Sequence, residues 1–147
     1  MSAYTEHTVR TYKTGEMRFY LNGLLHRTDA PAIKNRFGSN SWYYNGKLHR
    51  RNGPALIDED GTKEYWCHGQ LHREDGPAII YGDGTREWYR QGQLHREDGP
   101  AYEGPDGEEI WYLYGKKVSK AEHALGNMPK NTIVIDGFEY KLVTQKK

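Results

Sequence analysis

The chain has 147 residues, 28% of them charged, a net charge of +1 and a single cysteine. That length suits one domain, and a lone cysteine excludes an internal disulfide. No apolar run approaches the roughly 18 residues of a membrane helix, and no apolar leader follows Met1, so a soluble, cytoplasmic protein is expected. Hydrophobic residues are only 35%, yet 12 Tyr, 4 Trp and 3 Phe give the chain area to bury, with 17 glycines breaking it often. A thin fold with much surface is expected rather than disorder. The charge is uneven. Residues 1–53 hold nine Lys/Arg and three Asp/Glu, net +6. Residues 54–115 hold five and fourteen, net −9, and residues 116–147 hold seven and three, net +4. Such blocks suit a solvated surface, a basic partner for the middle, or another copy's middle meeting the basic ends.

In chain order, residues 1–8 read as a short polar extension. Five units then occupy residues 9–118. Gly15, Gly38, Gly61, Gly84 and Gly107 form one column at a step of 23 residues, and Gly23, Gly46, Gly69, Gly92 and Gly115 form a second. Between them lies a short strand with two adjacent aromatics: Phe19-Tyr20, Trp42-Tyr43, Tyr65-Trp66, Trp88-Tyr89, Trp111-Tyr112. Aromatic enrichment between glycines favours strand over helix. Asn22-Gly23 and Asn45-Gly46 fit type I′ hairpin turns, in which both central residues need positive φ, and His68-Gly69, Gln91-Gly92 and Tyr114-Gly115 are weaker copies. Asp60-Gly61, Asp83-Gly84 and Asp106-Gly107 mark the other hairpin end. The clearest pair is residues 78–81 against an unbroken strand over 85–90. Alternation puts the first aromatics on one face and the second aromatics on the other.

A ten-residue phrase closes each of the first four units. Residues 69–78 and 92–101 both read GQLHREDGPA, residues 46–55 read GKLHRRNGPA, and residues 23–32 read GLLHRTDAPA. A fixed period of this size marks a repeat architecture, in which stacked neighbours bury what no single unit can. Beyond it, Val118 replaces the histidine, and Ser119 with Glu122 forms a capping box that predicts a helix to about Leu125, with Gly126 as C-cap. Residues 132–135 and 138–143 flank Asp136-Gly137 as a hairpin. Residues 119–147 therefore read as a cap on the last open edge.

The aligned histidines His26, His49, His72 and His95 do not spell a shared metal site. Equivalent atoms two strands apart lie about 9–10 Å from each other, too far for one ion. Each histidine is expected to bond the turn of its own unit, through Asp29, Asn52, Asp75 or Asp98. Cys67 and His68 with His72 form the one thiol–imidazole cluster, with no convincing third catalytic partner. Glu108 and Glu109 are adjacent in a strand and point to opposite faces, so they cannot act as a carboxylate pair. The expectation is a non-enzymatic protein with no catalytic residues, no metal and no cofactor.

The columns Gly-x-x-x-aromatic-aromatic-x-x-Gly resemble the MORN repeat, and most closely its variant with the phrase Leu-His-Arg-x-Asp-Gly-Pro-Ala. The resemblance spans residues 9–118 in five registered copies. It implies an all-β fold: an elongated, single-layer antiparallel β-meander of five 23-residue units, here capped by the short helix and the hairpin. It also implies scaffolding of protein contacts, a lipid association in some members, and, for short proteins with this phrase, a phage or large-virus setting. The familiar pattern has glycine after its histidine, whereas Arg27, Arg50, Arg73 and Arg96 stand here.

These readings lead to a protein-interaction module, in its viral version an inhibitor of a host defence protein. Trp42, Trp66, Trp88 and Trp111 with Glu87, Glu108 and Glu109 are the candidate protein-binding residues. The alternative is nucleic acid or anionic membrane held by Arg10, Lys13, Arg18, Lys34 and Arg36, with steep salt dependence. A self-associating structural protein, a homo-oligomer, is the third reading.

Overall fold

A computed structural model describes residues 6–126 and, as backbone, the strands Thr132–Ile135 and Phe138–Lys141. The architecture is antiparallel β with one short helix, and the main sheet runs in a line without closing. Residues 7 and 8, expected in a polar extension, already belong to the first strand, His7–Thr11, which pairs with Met17–Leu21.

Each interior unit makes two hairpins of different kinds. The first turns at the Asp-Gly position. In the third unit Gly61 donates to the Asp58 carbonyl at 3.1 Å and Asp58 donates to Thr62 at 2.9 Å. Gly61 sits at φ 87°, the left-handed position that such a three-residue loop demands. Asp60 holds the loop by accepting from the Thr62 backbone N–H and from its hydroxyl, both at 2.9 Å. These hairpins, Leu56–Ile57 with Lys63–Glu64 for example, join side by side into the main sheet.

The second hairpin turns at the aligned Gly pair. Asn22, Asn45, His68, Gln91 and Tyr114 all have φ between 48° and 52°, each followed by a positive-φ glycine. All five are therefore type I′ turns, the weaker copies included. In the three interior units the strand does not run unbroken as expected over residues 85–90. Arg86–Glu87 belongs to the main sheet, Trp88 interrupts, and Tyr89–Arg90 starts a separate hairpin with Gln93–Leu94. At the interruption the Trp88 N–H turns to the Ala101 carbonyl at 2.8 Å, as Trp42 turns to Ala55 and Tyr65 to Ala78, both at 2.7 Å. Phe19 makes the same bond to Ala32 at 2.8 Å inside the unbroken strand Met17–Leu21, so the bond accompanies the break and does not by itself impose it. The layer breaks at the first aromatic of the three interior units, and their short hairpins form a second tier.

Two backbone bonds per junction tie the short hairpins of successive units together, and a third closes each hairpin within its unit. Gly69 donates to Leu48, Gly92 to Leu71 and Gly115 to Leu94, each at 2.8 Å. His72 donates to Tyr65 and Arg73 to Tyr89, at 3.0 and 3.3 Å. Thus the Leu-His-Arg segment satisfies its backbone partly within its unit and partly against the next, as stacked arrays require.

No large side chain is fully buried among the described residues, and Ala32, Ala55, Ala78 and Ala101 are the wholly buried ones. They mark where neighbouring backbones approach most closely. The inner row of the sheet, half-buried apart from the buried Ile79, runs Leu56, Glu64, Ile79, Glu87, Tyr102, Ile110 in direct register. Its two carboxylates are satisfied: Glu64 accepts from the Trp66 indole at 2.7 Å, and Glu87 from the Tyr81 hydroxyl at 3.3 Å. Burial foremost, with the Glu87 charge beside it, pushes the Tyr81 phenol up to about 12.

The predicted helix is Lys120–Gly126, with Gly126 as its last residue rather than beyond it. The capping box forms: Ser119 donates its N–H to Glu122 at 2.8 Å, and Glu122 donates its N–H to the Ser119 hydroxyl at 3.1 Å. The final strands pair as expected, Ile135 opposite Phe138. Asp136-Gly137 and residues 142–143 lie outside the described residues.

Candidate functional site

The repeated phrase builds one device four times. In each unit the arginine folds back over the first aromatic ring of the same unit: Arg27 over Phe19 at 4.1 Å, Arg50 over Trp42 and Arg73 over Tyr65 at 3.9 Å, Arg96 over Trp88 at 4.0 Å. Eight residues separate ring and arginine every time, a spacing present in the sequence that the aromatic columns alone did not reveal. In three units an arginine Nη1 also donates to the proline carbonyl of the phrase: Arg50 to Pro54, Arg73 to Pro77 and Arg96 to Pro100, at 3.1, 3.4 and 3.2 Å. The glycine before that proline leaves the room. A Cβ on Gly99 would stand 2.7 Å from the Arg96 Cζ. The first unit carries Ala30 there, and Arg27 makes no such bond.

The aspartates serve the arginines, not the histidines, which corrects the expected His–Asp pairing. Arg27 donates through Nε to Asp29 at 3.1 Å, and Arg73 to Asp75 and Arg96 to Asp98 at 2.8 Å. These bonds hold all three carboxyls below their ordinary range. In the second unit Asn52 stands in that column, so Arg50 has no carboxylate partner among the described residues.

The histidines reach the next unit rather than their own. The Nδ1 of His26, His49, His72 and His95 accepts the backbone N–H of Asn45, His68, Gln91 and Tyr114, at 3.2, 3.3, 3.3 and 3.2 Å. Each donor is the left-handed residue of the neighbouring type I′ turn, so each histidine locks one turn onto the preceding unit. At His49, His72 and His95 an Nδ1 that accepts is unprotonated, which places the ring proton on Nε2, whereas at His26 the Asn45 Oδ1 also lies 2.8 Å from Nδ1 and the role of that nitrogen follows the tautomer. Burial first, then the charges of His68 and Arg51, lower the His49 pKa.

Two clefts open between units. One, of about 600 Å³, lies between the first and second units and meets His68 of the third; Arg27, Arg50 and Arg51 face a single carboxylate there, Asp29. The other, of about 700 Å³, lies between the third and fourth units, where Arg73, Arg90 and Arg96 face Glu74, Asp75, Glu97 and Asp98. The scaffold is the same and the charge is opposite.

The residues singled out in the sequence are distributed as follows. Trp42, Trp88 and Trp111 lie half-buried as ring floors, the last under the Lys120 ammonium at 5.3 Å. Trp66 lies on the other side, bonded to Glu64. The ladder aromatics are thus not the exposed ones; the exposed large apolar and aromatic side chains are Val9, Tyr12, Leu24, Phe37, Tyr44, Tyr114 and Leu125. Glu87 is half-buried on the inner row, while Glu108 and Glu109 are exposed. Of the alternative phosphate ligands, Arg10 and Arg18 are direct cross-strand partners, each over a tyrosine ring. Lys34 pairs with Met17 in the next register position, on the opposite face, and Arg18 is bonded to Glu16. Lys13 and Arg36 are exposed in loops, so the five do not converge.

The Cys67–His68 cluster takes His49, not His72, as its third member, with the candidate ligand atoms within 4.8 Å of one another. The donor set suits zinc, but the geometry does not fit as it stands. An imidazole binds a metal in its own ring plane, and the His49 and His68 rings are stacked, 4.2 Å apart and 14° from parallel. One ion cannot lie in both planes.

Compared with protein-family models, with curated proteins and with solved structures, the chain matches none. No helix among the described residues is long and apolar enough to cross a membrane.

Proposed function

We propose that the chain is a non-enzymatic, five-unit MORN-like scaffold whose inter-unit clefts bind a protein partner. The observation that carries this reading is the pair of clefts. They share one floor of arginine on aromatic, and their rims differ in charge. A surface of that design reads a sequence of charges along a partner.

The scaffold's chemically active groups are already employed. The aligned histidines accept backbone hydrogens, and three of the four phrase arginines hold carboxylates. A residue committed to a turn is a poor general base. The charge alternation also favours protein over nucleic acid, because a polyphosphate attracted by the first cleft is repelled by four carboxylates at the second. In the phage or viral setting that the resemblance implies, the partner is a host protein.

A photo-cross-linking residue placed at Glu97, on the acidic rim, should label one protein in a saturable way. The same residue at Lys63, exposed but lining neither cleft, should not. Absence of a protein adduct, together with salt-sensitive binding of DNA or anionic vesicles, would reject the reading.

A further inference from the structure

The fourfold device contains its own evidence for a ligand. At Arg27, Arg73 and Arg96 the arginine Nε donates to an aspartate two residues on. At Arg50 the same guanidinium lies on the same kind of ring, with Nη1 fixed to the Pro54 carbonyl at 3.1 Å. Its Nε edge meets no carboxylate, because residue 52 is asparagine. Asn52 keeps the shape of aspartate and removes the charge. The next residue after Arg50 is also changed: Arg51 stands where Glu74 and Glu97 stand in the later units.

We propose that the cleft between the first and second units binds an acidic peptide segment, with a glutamate or aspartate carboxylate seated on Arg50 where Asp29, Asp75 and Asp98 sit in the other copies. This rests on the protein-partner reading above and names the chemistry of that partner at one cleft. The occupant follows from the molecule itself: carboxylate is what the geometry accepts in three of four cases. Arg27 and Arg51 add positive potential at the rim, and Asp29, the one carboxylate there, is bound to Arg27.

A free surface arginine binds a carboxylate weakly, because ordering its long side chain offsets the gain. Arg50 is different. Trp42 beneath it and Pro54 beside it have already fixed the side chain, so the ligand meets a preorganised fork. Tyr44 and His68, both exposed at the cleft, offer apolar area for the residues flanking the carboxylate. The Trp42 ring itself is covered by Arg50, which removes it as a stacking platform for a nucleobase.

The test uses a fluorescein-labelled glutamate-rich peptide and fluorescence anisotropy on the full chain. Asn52→Asp restores the residue of the other units, so it should fold as they do while filling the site from within. It should weaken peptide binding by about tenfold or more, whereas the charge-matched Gln93→Glu, in a different unit, should leave it within about twofold. The converse variant, Glu74→Arg with Asp75→Asn, copies Arg51-Asn52 into the third unit and should raise the stoichiometry from one site to two. Unchanged binding in Asn52→Asp overturns the inference. So does a phosphopeptide or an oligonucleotide that binds more tightly than the glutamate peptide with the same dependence on residue 52. Wild-type chains that associate through this cleft, with association lost in Asn52→Asp, support carboxylate capture with a second copy as the source. If cross-linking at Glu97 still labels a protein while Asn52→Asp changes nothing, the carboxylate site fails and the scaffold reading stands.

Discussion

The second and fourth units carry the same machine and present opposite faces. Arg50 on Trp42 and Arg96 on Trp88 have the same ring distance to within 0.1 Å, 3.9 and 4.0 Å, and the same bond to a proline carbonyl. Around Arg96 stand Asp98 and Glu103, both at 2.8 Å. Around Arg50 stand Arg51 and Asn52. The device that bends and locks a unit is therefore independent of the charge on its rim. Because the floor forms with either rim, the rim is free to differ, and chemical specificity belongs where the copies disagree.

The sharpest way to break this comparison is to remove the shared part. Trp42→Ala and Trp88→Ala should each destabilise the chain by about 2–3 kcal/mol, below the roughly 3–5 kcal/mol of a fully buried ring because both are half-buried. Urea denaturation should give similar losses for the two despite their opposite rims. A loss confined to one would mean that the floor and the rim are not separable. Next in size is Gly99→Ala. Its new Cβ meets the Arg96 guanidinium at 2.7 Å, so the end of that side chain must shift and give up its Pro100 bond, at a cost of about 1 kcal/mol. Pairing it with Arg96→Ala should recover most of that cost, since the clash then has no second partner.

Much of this was legible in the residues. The columns fixed the hairpins, the positive-φ turns and the capping box, because those depend on local chemistry: glycine, asparagine and a serine three residues before glutamate. The tier break at Trp42, Tyr65 and Trp88 was not legible, since Phe19 occupies the same column and makes the same bond to an alanine thirteen residues away inside an unbroken strand. The role of that alanine could have been read from its presence in all four copies of the phrase. The pairing of histidine with the next unit was also hidden. Spacing shows which polar groups are near in sequence; the register between units decides which of His, Arg and Asp face one another.

Acid should separate the units that the charge already distinguishes. Asp75 and Asp98 have folded pKa values below the unfolded value of about 3.9, because the arginine beside each favours the carboxylate. Their stabilisation is fully present above the unfolded value and is lost as pH falls through the lower folded one. The second unit has no such contribution. Asp75→Asn should flatten the acid limb of the melting temperature against pH, and Asn52→Asp should steepen it. His49 acts at higher pH: its folded value lies below the usual 6.5, so its share is present above that value and lost on acidification below it.

The smallest effect tests whether the turns, too, are interchangeable. His68 and Gln91 occupy the same left-handed position, at φ 50° and 52°, and each donates its N–H to the preceding histidine at 3.3 Å. Asparagine tolerates that conformation better than either. Gln91→Asn should therefore stabilise by about 0.5–1 kcal/mol, the order of the left-handed penalty it relieves. His68→Asn relieves the same penalty but removes the ring stacked on His49 at 4.2 Å, so its gain should be smaller. The difference between the two variants measures that stack. If both gain equally, the His49–His68 contact adds nothing to stability, and His68 at the basic cleft is explained by what the cleft binds rather than by what the fold needs.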